Sequence, residues 1–358
     1  MKKSTAKRFL CLLLAFPFAL PCAGCAKRAP EPAPREYNEQ GYRLLPFSHG
    51  INLSCMEYPW YFTMTTYWKM KKSRTYEDIV AQGFDHVRVP VDFRLYYDAD
   101  KKELKKSFLR RLDSMIAKAE TAGLYVCLDF HGWNNINTDK PEHKETFVTI
   151  WRLLAEHYKD ASDYVIFELL NEPHTNEGGN LDSKRLNALQ NETIAAIRET
   201  NPDRLILAAT ADWNGWWTLG DLRLPTGDKN IAVAVHTYTP LKFTHQGATW
   251  GDPNNTFRVP LTQDMLLELK SDLDHFMEFT NKTGVQVVLN EFGVHKGVVD
   301  PADTTKYLAF LSDYCRENGL AWTVWNYWEY GGNGFGATKN GKWRDDVMNG
   351  LFPERAKK

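Results

Sequence analysis

The chain has 358 residues, 43% hydrophobic and 25% charged. That balance leaves ample material for a large core and excludes a disordered or fibrous chain. The 44 Lys and Arg nearly cancel the 45 Asp and Glu, for a formal net charge of −1, so composition gives no electrostatic case for a nucleic-acid partner.

Residues 1–24 have the build of an export signal. Lys2, Lys3, Lys7 and Arg8 precede an apolar run at 9–20, and the small residues Ala23 and Gly24 stand before Cys25. The run is too short to cross a membrane as a helix. Cys22-Ala23-Gly24-Cys25 resembles the bacterial lipoprotein cleavage motif, with Cys22 where Leu is usual. The resemblance implies lipidation of Cys25, hence export and attachment to a membrane through the lipid anchor only. Residues 25–40 carry Pro30, Pro32 and Pro34 among charged residues, a composition expected to stay extended as a tether. Residues 41–358 show no second linker and no internal repeat, a length that one large α/β barrel uses whole.

Eight short apolar, β-branched or aromatic runs follow, at 47–53, 84–91, 124–130, 164–170, 204–209, 231–237, 285–291 and 320–327. Stretches with helical periodicity separate most of them, notably 102–122, 143–159, 181–200, 261–283 and 304–318. Gly83, Gly123, Gly284 and Gly319 each fall just before a strand, where a helix C-terminus calls for a left-handed residue. The alternation predicts an α/β fold, a (β/α)8 barrel in a single catalytic domain. An open doubly wound sheet is the rival, but it normally wants a Gly-rich phosphate loop after its first strand, and none follows Gly50-Ile51-Asn52-Leu53. Cys127 lies inside an apolar run and reads as a small core residue, and the spacing of Cys55, Cys127 and Cys315 matches no zinc motif.

In a closed barrel, chemistry belongs where strands end and the following loops begin. The polar residues at those points are Arg88, Asp129, His131, Asn171, Glu172, Asp212, His236, Tyr238, Glu291 and Asn326. An acidic residue that closes an apolar strand is expensive without a reason. Glu172 and Glu291 are two such residues on well-separated strands, so both can face one axial cleft. A pair of carboxyls, one neutral and one ionised, is what retaining cleavage of a glycosidic bond requires. Arg88 is the candidate to hold Glu291 ionised; taken alone it also reads as a structural ion pair with Asp85 or Asp92, and His131 as a satisfied core histidine.

Taken together, these segments resemble glycoside hydrolase family 5, the cellulase family of retaining (β/α) barrels, over about residues 50–336. Leu170-Asn171-Glu172-Pro173 is similar to the family's Asn-Glu-Pro signature, and Asn290-Glu291-Phe292-Gly293 to its nucleophile segment. The resemblance implies that Glu172 is the acid/base, that Glu291 is the nucleophile and that Asn171 contacts the sugar's 2-hydroxyl. The segments around Arg88, His131, His236-Thr237-Tyr238 and Trp322 to Trp325 match supporting motifs in the family's order. They imply that His236 and Tyr238 hydrogen-bond the two glutamates and that Trp325 floors the site. The loop from Phe243 to Trp250 resembles that of a cellulase- and mannanase-acting group, which places His245 and Trp250 along the cleft. Glu57 and Trp133 complete the expected substrate-binding set. Trp213, Trp216 and Trp217 also follow a strand, where each is either a sugar platform or a packed ring. The chain departs from that group at Gly132-Trp133 and Ser54-Cys55, positions that touch sugars, so the glycan stays open.

The expected activity is therefore a retaining, double-displacement β-glycanase, endo-β-1,4-glucanase-like, with β-mannan, xyloglucan or another β-glycan as alternatives. The expected partner is a polysaccharide or oligosaccharide, with no cofactor, no metal, no nucleic acid and a monomeric state. A non-catalytic carbohydrate-binding barrel would usually have lost one carboxylate. A metal-dependent hydrolase would need converging His and Asp, whereas His49, His131 and His236 are isolated in the sequence.

Overall fold

The computed structural model describes residues 28–54, 56–57, 72–249, 254–256, 258–328 and 334–354. Eight parallel strands close on themselves: β1 (His49–Asn52), β2 (His86–Val91), β3 (Tyr125–Phe130), β4 (Val165–Glu168), β5 (Ile206–Ala208), β6 (Ile231–His236), β7 (Val287–Glu291) and β8 (Ala321–Val324). Each pairs with its sequence neighbours, and β8 returns to β1 through Gly50 opposite Thr323. Closure excludes the open sheet. Every residue of β2, β3 and β6 is buried, because helices cover the outside and side chains fill the inside, which is why these strands are apolar runs rather than alternations.

The covering helices are α1 (Ser73–Ala81), α2 (Lys106–Ala122), α3 (Pro141–His157), α4 (Ser183–Arg198), α5 (Gln263–Thr283) and α6 (Pro301–Asn318), with α7 (Asp345–Leu351) packed on α6. Local chemistry sets their ends. The side chains of Asp182, Thr262 and Asp300 accept from first-turn amides of α4, α5 and α6. Gly123, Gly284 and Gly319 close α2, α5 and α6 at φ of 84°, 77° and 65°, the left-handed geometry that only glycine adopts freely. The β5–β6 crossover carries only a helical turn, Ala211–Asn214, and a 3-10 segment, Trp216–Asp221.

The expected tether needs correction. From Arg28 on, residues 28–47 lie across the bottom of the barrel, at the N-terminal ends of the strands. Arg35 pairs with Asp163 at 2.6 Å and Asp203 at 3.0 Å, and the Tyr125 hydroxyl accepts from the Ala33 amide. Arg43, buried, donates to Asp163 and to the Asp203 carbonyl. Phe47 joins Tyr125, Cys127, Tyr164, Ile166 and Leu207 in the cluster that fills the barrel interior. The segment stays extended, as its prolines dictate, but barrel-bottom groups engage its Ala33 amide, Arg35 and the terminal nitrogens of Arg43. Cys127 is buried within that interior, as expected, and Cys315 lies in the shell between strands and helices. Cys25, Cys55 and Trp250 lie outside the described residues.

Candidate active site

Strand register delivers the site. Glu291 ends β7 opposite His236 at the end of β6, Asp129 on β3 stands opposite Glu168 on β4, and Arg88 on β2 reaches inward between them. Oxygens of Glu172 and Glu291 and a ring nitrogen of His236 all lie within 4.8 Å of one another.

The two carboxyls stand in different surroundings. Arg88 Nη1 donates to Glu291 Oε1 at 2.8 Å, and the Tyr238 hydroxyl donates to Oε2 at 3.1 Å. Glu172 meets His236 Nδ1 at 2.9 Å and, with its side chain 21% exposed against 6% for Glu291, is the more open of the two to the cleft. Burial pushes the Glu172 carboxyl up, but the hydrogen bond and charge of His236, with the charges of His131 and Arg88, outweigh it and hold the group below the ordinary glutamate range in the open cleft. Burial drives the Tyr238 phenol well above its usual value, with Glu291 adding to the shift, so it remains a donor.

Arg88 pairs with neither Asp85 nor Asp92. Asp85 instead takes the amides of Ser48 and His49 and the ring of His86, and Asp92 takes Arg94. Fully buried, Arg88 donates to Glu168, Asn52, Asn171 and Glu291 and pairs with Asp129. His131 bonds Asp129 at 2.8 Å and lies parallel to Trp325, ring centroids 5.5 Å apart. Burial would lower its pKa, yet Asp129 and Glu291 raise it to about 9. Trp325 is half-buried at the mouth of β8. Its carbonyl lies where a side chain on Gly293 would project, at 2.7 Å, so only glycine lets the chain pass after Phe292.

Most of the expected residues therefore converge: Glu172, Glu291, Arg88, His131, Asn171, His236 and Tyr238, with Trp325 beside them. His245 packs edge-on to Tyr238 at 4.9 Å; burial, then His295, lowers its pKa to about 4, which makes it a neutral flank. Two residues call for correction. Trp133 is 8% exposed and packs with Phe130 and His143 in the core. Glu57 is 1% exposed, and its carboxylate accepts the Ser54 hydroxyl. Both side chains are turned inward, so neither offers an open face to a sugar. Trp216 stacks on His275. Trp213, 40% exposed, stacks on His174 at 3.9 Å and belongs to a left-handed turn, with Asp212, Trp213 and Asn214 at φ of 54°, 67° and 58°.

Sequence reasoning missed four residues. Asn52 and Glu168 both engage Arg88, Asn290 donates to Glu168, and Asn214 accepts from the Thr210 amide and donates to the Asn171 carbonyl. A polar residue inside an apolar strand is the signal that could have found Asn52, Glu168 and Asn290. Nothing local marks Asn214.

A closed parallel barrel with paired carboxyls at the ends of β4 and β7, one clamped by arginine and tyrosine, defines the protein as a (β/α)8 glycoside hydrolase. The model of the cellulase family, glycosyl hydrolase family 5, matches residues 46–331, and the chain belongs to that family. It is 28% identical to Endoglucanase H of Acetivibrio thermocellus over 72% of this chain and 27% of that protein, so it spans about a quarter of that relative's length. It is 26% identical to Cellodextrinase A of Ruminococcus flavefaciens over 70% of this chain and 76% of that one. Among solved structures, Thermotoga maritima Cel5A in complex with mannotriose superposes with a TM-score of 0.76 at 28% identity, over 86% of this chain and 97% of that one.

Proposed function

We propose that the protein hydrolyses β-1,4-linked glucan internally by double displacement, with Glu172 as acid/base and Glu291 as nucleophile. The carrying observation is the asymmetry of the pair: both oxygens of Glu291 are held by donors, while among the described residues the Glu172 carboxyl is met by His236 alone and faces the cleft. In the first step Glu291 attacks the anomeric carbon, and the leaving oxygen takes the Glu172 proton. In the second, water attacks the glycosyl-enzyme, gives its proton to Glu172 and releases Glu291, so configuration is retained. One oxygen of each carboxyl lies within 4.8 Å of one of the other, which suits direct attack and falls short of the roughly 6.5–9.5 Å of an inverting pair. Asn171 accepts from Arg88 through its oxygen, which leaves its amide to donate to the sugar. Trp325, and farther out Trp213, offer faces to the C–H surface of a pyranose. Glucan follows from the endoglucanase relatives; the mannotriose complex of the Thermotoga enzyme supports mannan as the second reading, and a polysaccharide panel separates them.

The two glutamates are told apart by azide. Glu172→Ala should form the glycosyl-enzyme from an aryl β-glycoside with an acidic phenol, stall, and recover with azide to give the β-azide. Glu291→Ala should give at most the α-azide. The opposite anomers would reverse the roles.

The same reading extends to location: Cys25 is the lipidated mature N-terminus, and the enzyme is an exported, membrane-anchored monomer. This is supported by Ala23-Gly24-Cys25 ahead of a polar segment. Cys25→Ser should move the enzyme from the membrane to the soluble fraction; equal partition of both forms would exclude the anchor.

A further inference from the structure

Beneath the catalytic pair lies a carboxylate that the reaction does not touch. Glu168, the last residue of β4, is fully buried, and a buried charge persists only when its partners replace the lost water. Glu168 is surrounded by donors. Arg88 Nε reaches Oε2 and Nη2 reaches Oε1, both at 2.8 Å, fork on fork. Asn290 Nδ2 donates to Oε2 at 2.8 Å, and the Cys127 thiol approaches the same oxygen at 3.3 Å. Burial would push the carboxyl up, but the charge and hydrogen bonds of Arg88 hold it below the usual range. Glu168 is therefore an anion at working pH.

The geometry points to Glu168 as a positioning residue for the nucleophile: it fixes the plane of the Arg88 guanidinium and offsets part of its charge, and so sets how strongly Arg88 stabilises ionised Glu291. This rests on Glu291 being the nucleophile. A guanidinium is a rigid planar fork, so docking one edge on a carboxylate dictates where the other points. With Nε and Nη2 on Glu168, Nη1 is left to reach Glu291 at 2.8 Å and Asn52 at 2.9 Å. Asn290, the neighbour of Glu291 in the chain, ties β7 to the same carboxylate. The charge matters as much as the direction. The titratable groups facing Glu168 are Arg88 from β2, the Cys127 thiol and Asp129 from β3 and His236 from β6, with Glu291 from β7 held on Arg88 Nη1; the thiol is kept neutral by burial. Asp129 in turn pairs with His131. Without the Glu168 charge, the Arg88 cation would be less offset and would hold the Glu291 carboxylate more tightly, so that it attacks more weakly.

Two variants separate direction from charge. Glu168→Gln keeps the shape and loses the charge, so the acid limb of kcat/KM should fall by about half a pH unit or more, with kcat reduced about tenfold or more and KM little changed. Glu168→Asp keeps the charge but draws it back by one carbon; the acid limb should stay in place while kcat falls comparably. A folded Gln variant with an unmoved acid limb would overturn the proposal. So would an Asp variant with wild-type kcat, which decides the matter should the Gln variant fail to fold. Trapping the wild type with a 2-deoxy-2-fluoro-glycoside and locating the added sugar by peptide mass tests the underlying reading separately: a label away from Glu291 removes that reading, whatever the Glu168 variants do.

Discussion

His131 shows how one buried side chain carries a pH dependence. Its ring is 8% exposed, yet its pKa is raised to about 9, because the Asp129 and Glu291 carboxylates outweigh the burial that would lower it. A histidine near 6.5 in the unfolded chain therefore gains a proton on folding. Its stabilisation is complete below about pH 6.5 and is lost as pH rises towards 9, a change of at most about 3 kcal/mol. His131→Asn keeps a donor for Asp129 but not the charge. In urea unfolding at pH 6, 7.5 and 9, the stability gap between wild type and variant should shrink as pH rises. A constant gap would mean that His131 is neutral in the folded protein. The expectation of a satisfied histidine fits its pairing with Asp129, and its ring stands stacked beside Trp325.

At the scale of elements, the segment at 28–47 departs most from its sequence. Its prolines and charges resemble those of a solvated tether, and its conformation is extended, but its partners come from far along the chain. Arg43 is the clearest case, buried against Asp163 and the carbonyl of Asp203. Arg43→Met should cost about 1–3 kcal/mol, the usual penalty for a buried charged hydrogen-bonding partner left alone. Because the segment lies at the bottom of the barrel, kcat and KM should not move. Denaturant unfolding alongside steady-state kinetics tests both halves; a fall in kcat in the folded variant would show coupling between the two ends of the barrel. The β5 loop is a second element that sequence rules do not reach. Three consecutive left-handed residues without a glycine persist because tertiary bonds hold them, Asn214 bridging Thr210 and Asn171.

For the whole molecule, the catalytic end and the docked N-terminal segment occupy opposite faces, so an anchor at Cys25 would leave the cleft pointing away from the lipid. The cleft also sets the pH profile. While it is open, His236, His131 and Arg88 overcome burial and hold the Glu172 carboxyl low. A sugar seated over Trp325 expels water, which disfavours the charged form and raises the pKa of the acid. The basic limb of kcat, which reports the bound complex, should therefore lie about a unit or more above that of kcat/KM, which reports the free enzyme. Coincident limbs would show that substrate leaves Glu172 unchanged.

The sequence by itself determined the eight strands, the helix ends marked by Gly123, Gly284 and Gly319, and the two glutamates, because periodicity, caps and an acid at the end of an apolar run are local signals. It also placed Arg88 at the site, but not its partners. Asp85 and Asp92 were the near neighbours in sequence, whereas Glu168 and Asp129 meet Arg88 only when β2, β3 and β4 stand side by side with their residues turned into the barrel. Trp133 and Glu57 follow strands, as platform residues do, yet loop packing turned them inward. Barrel closure decided these outcomes: it brings strand-end side chains from distant parts of the chain onto one axis, where charge balance, rather than spacing along the sequence, assigns each its partner.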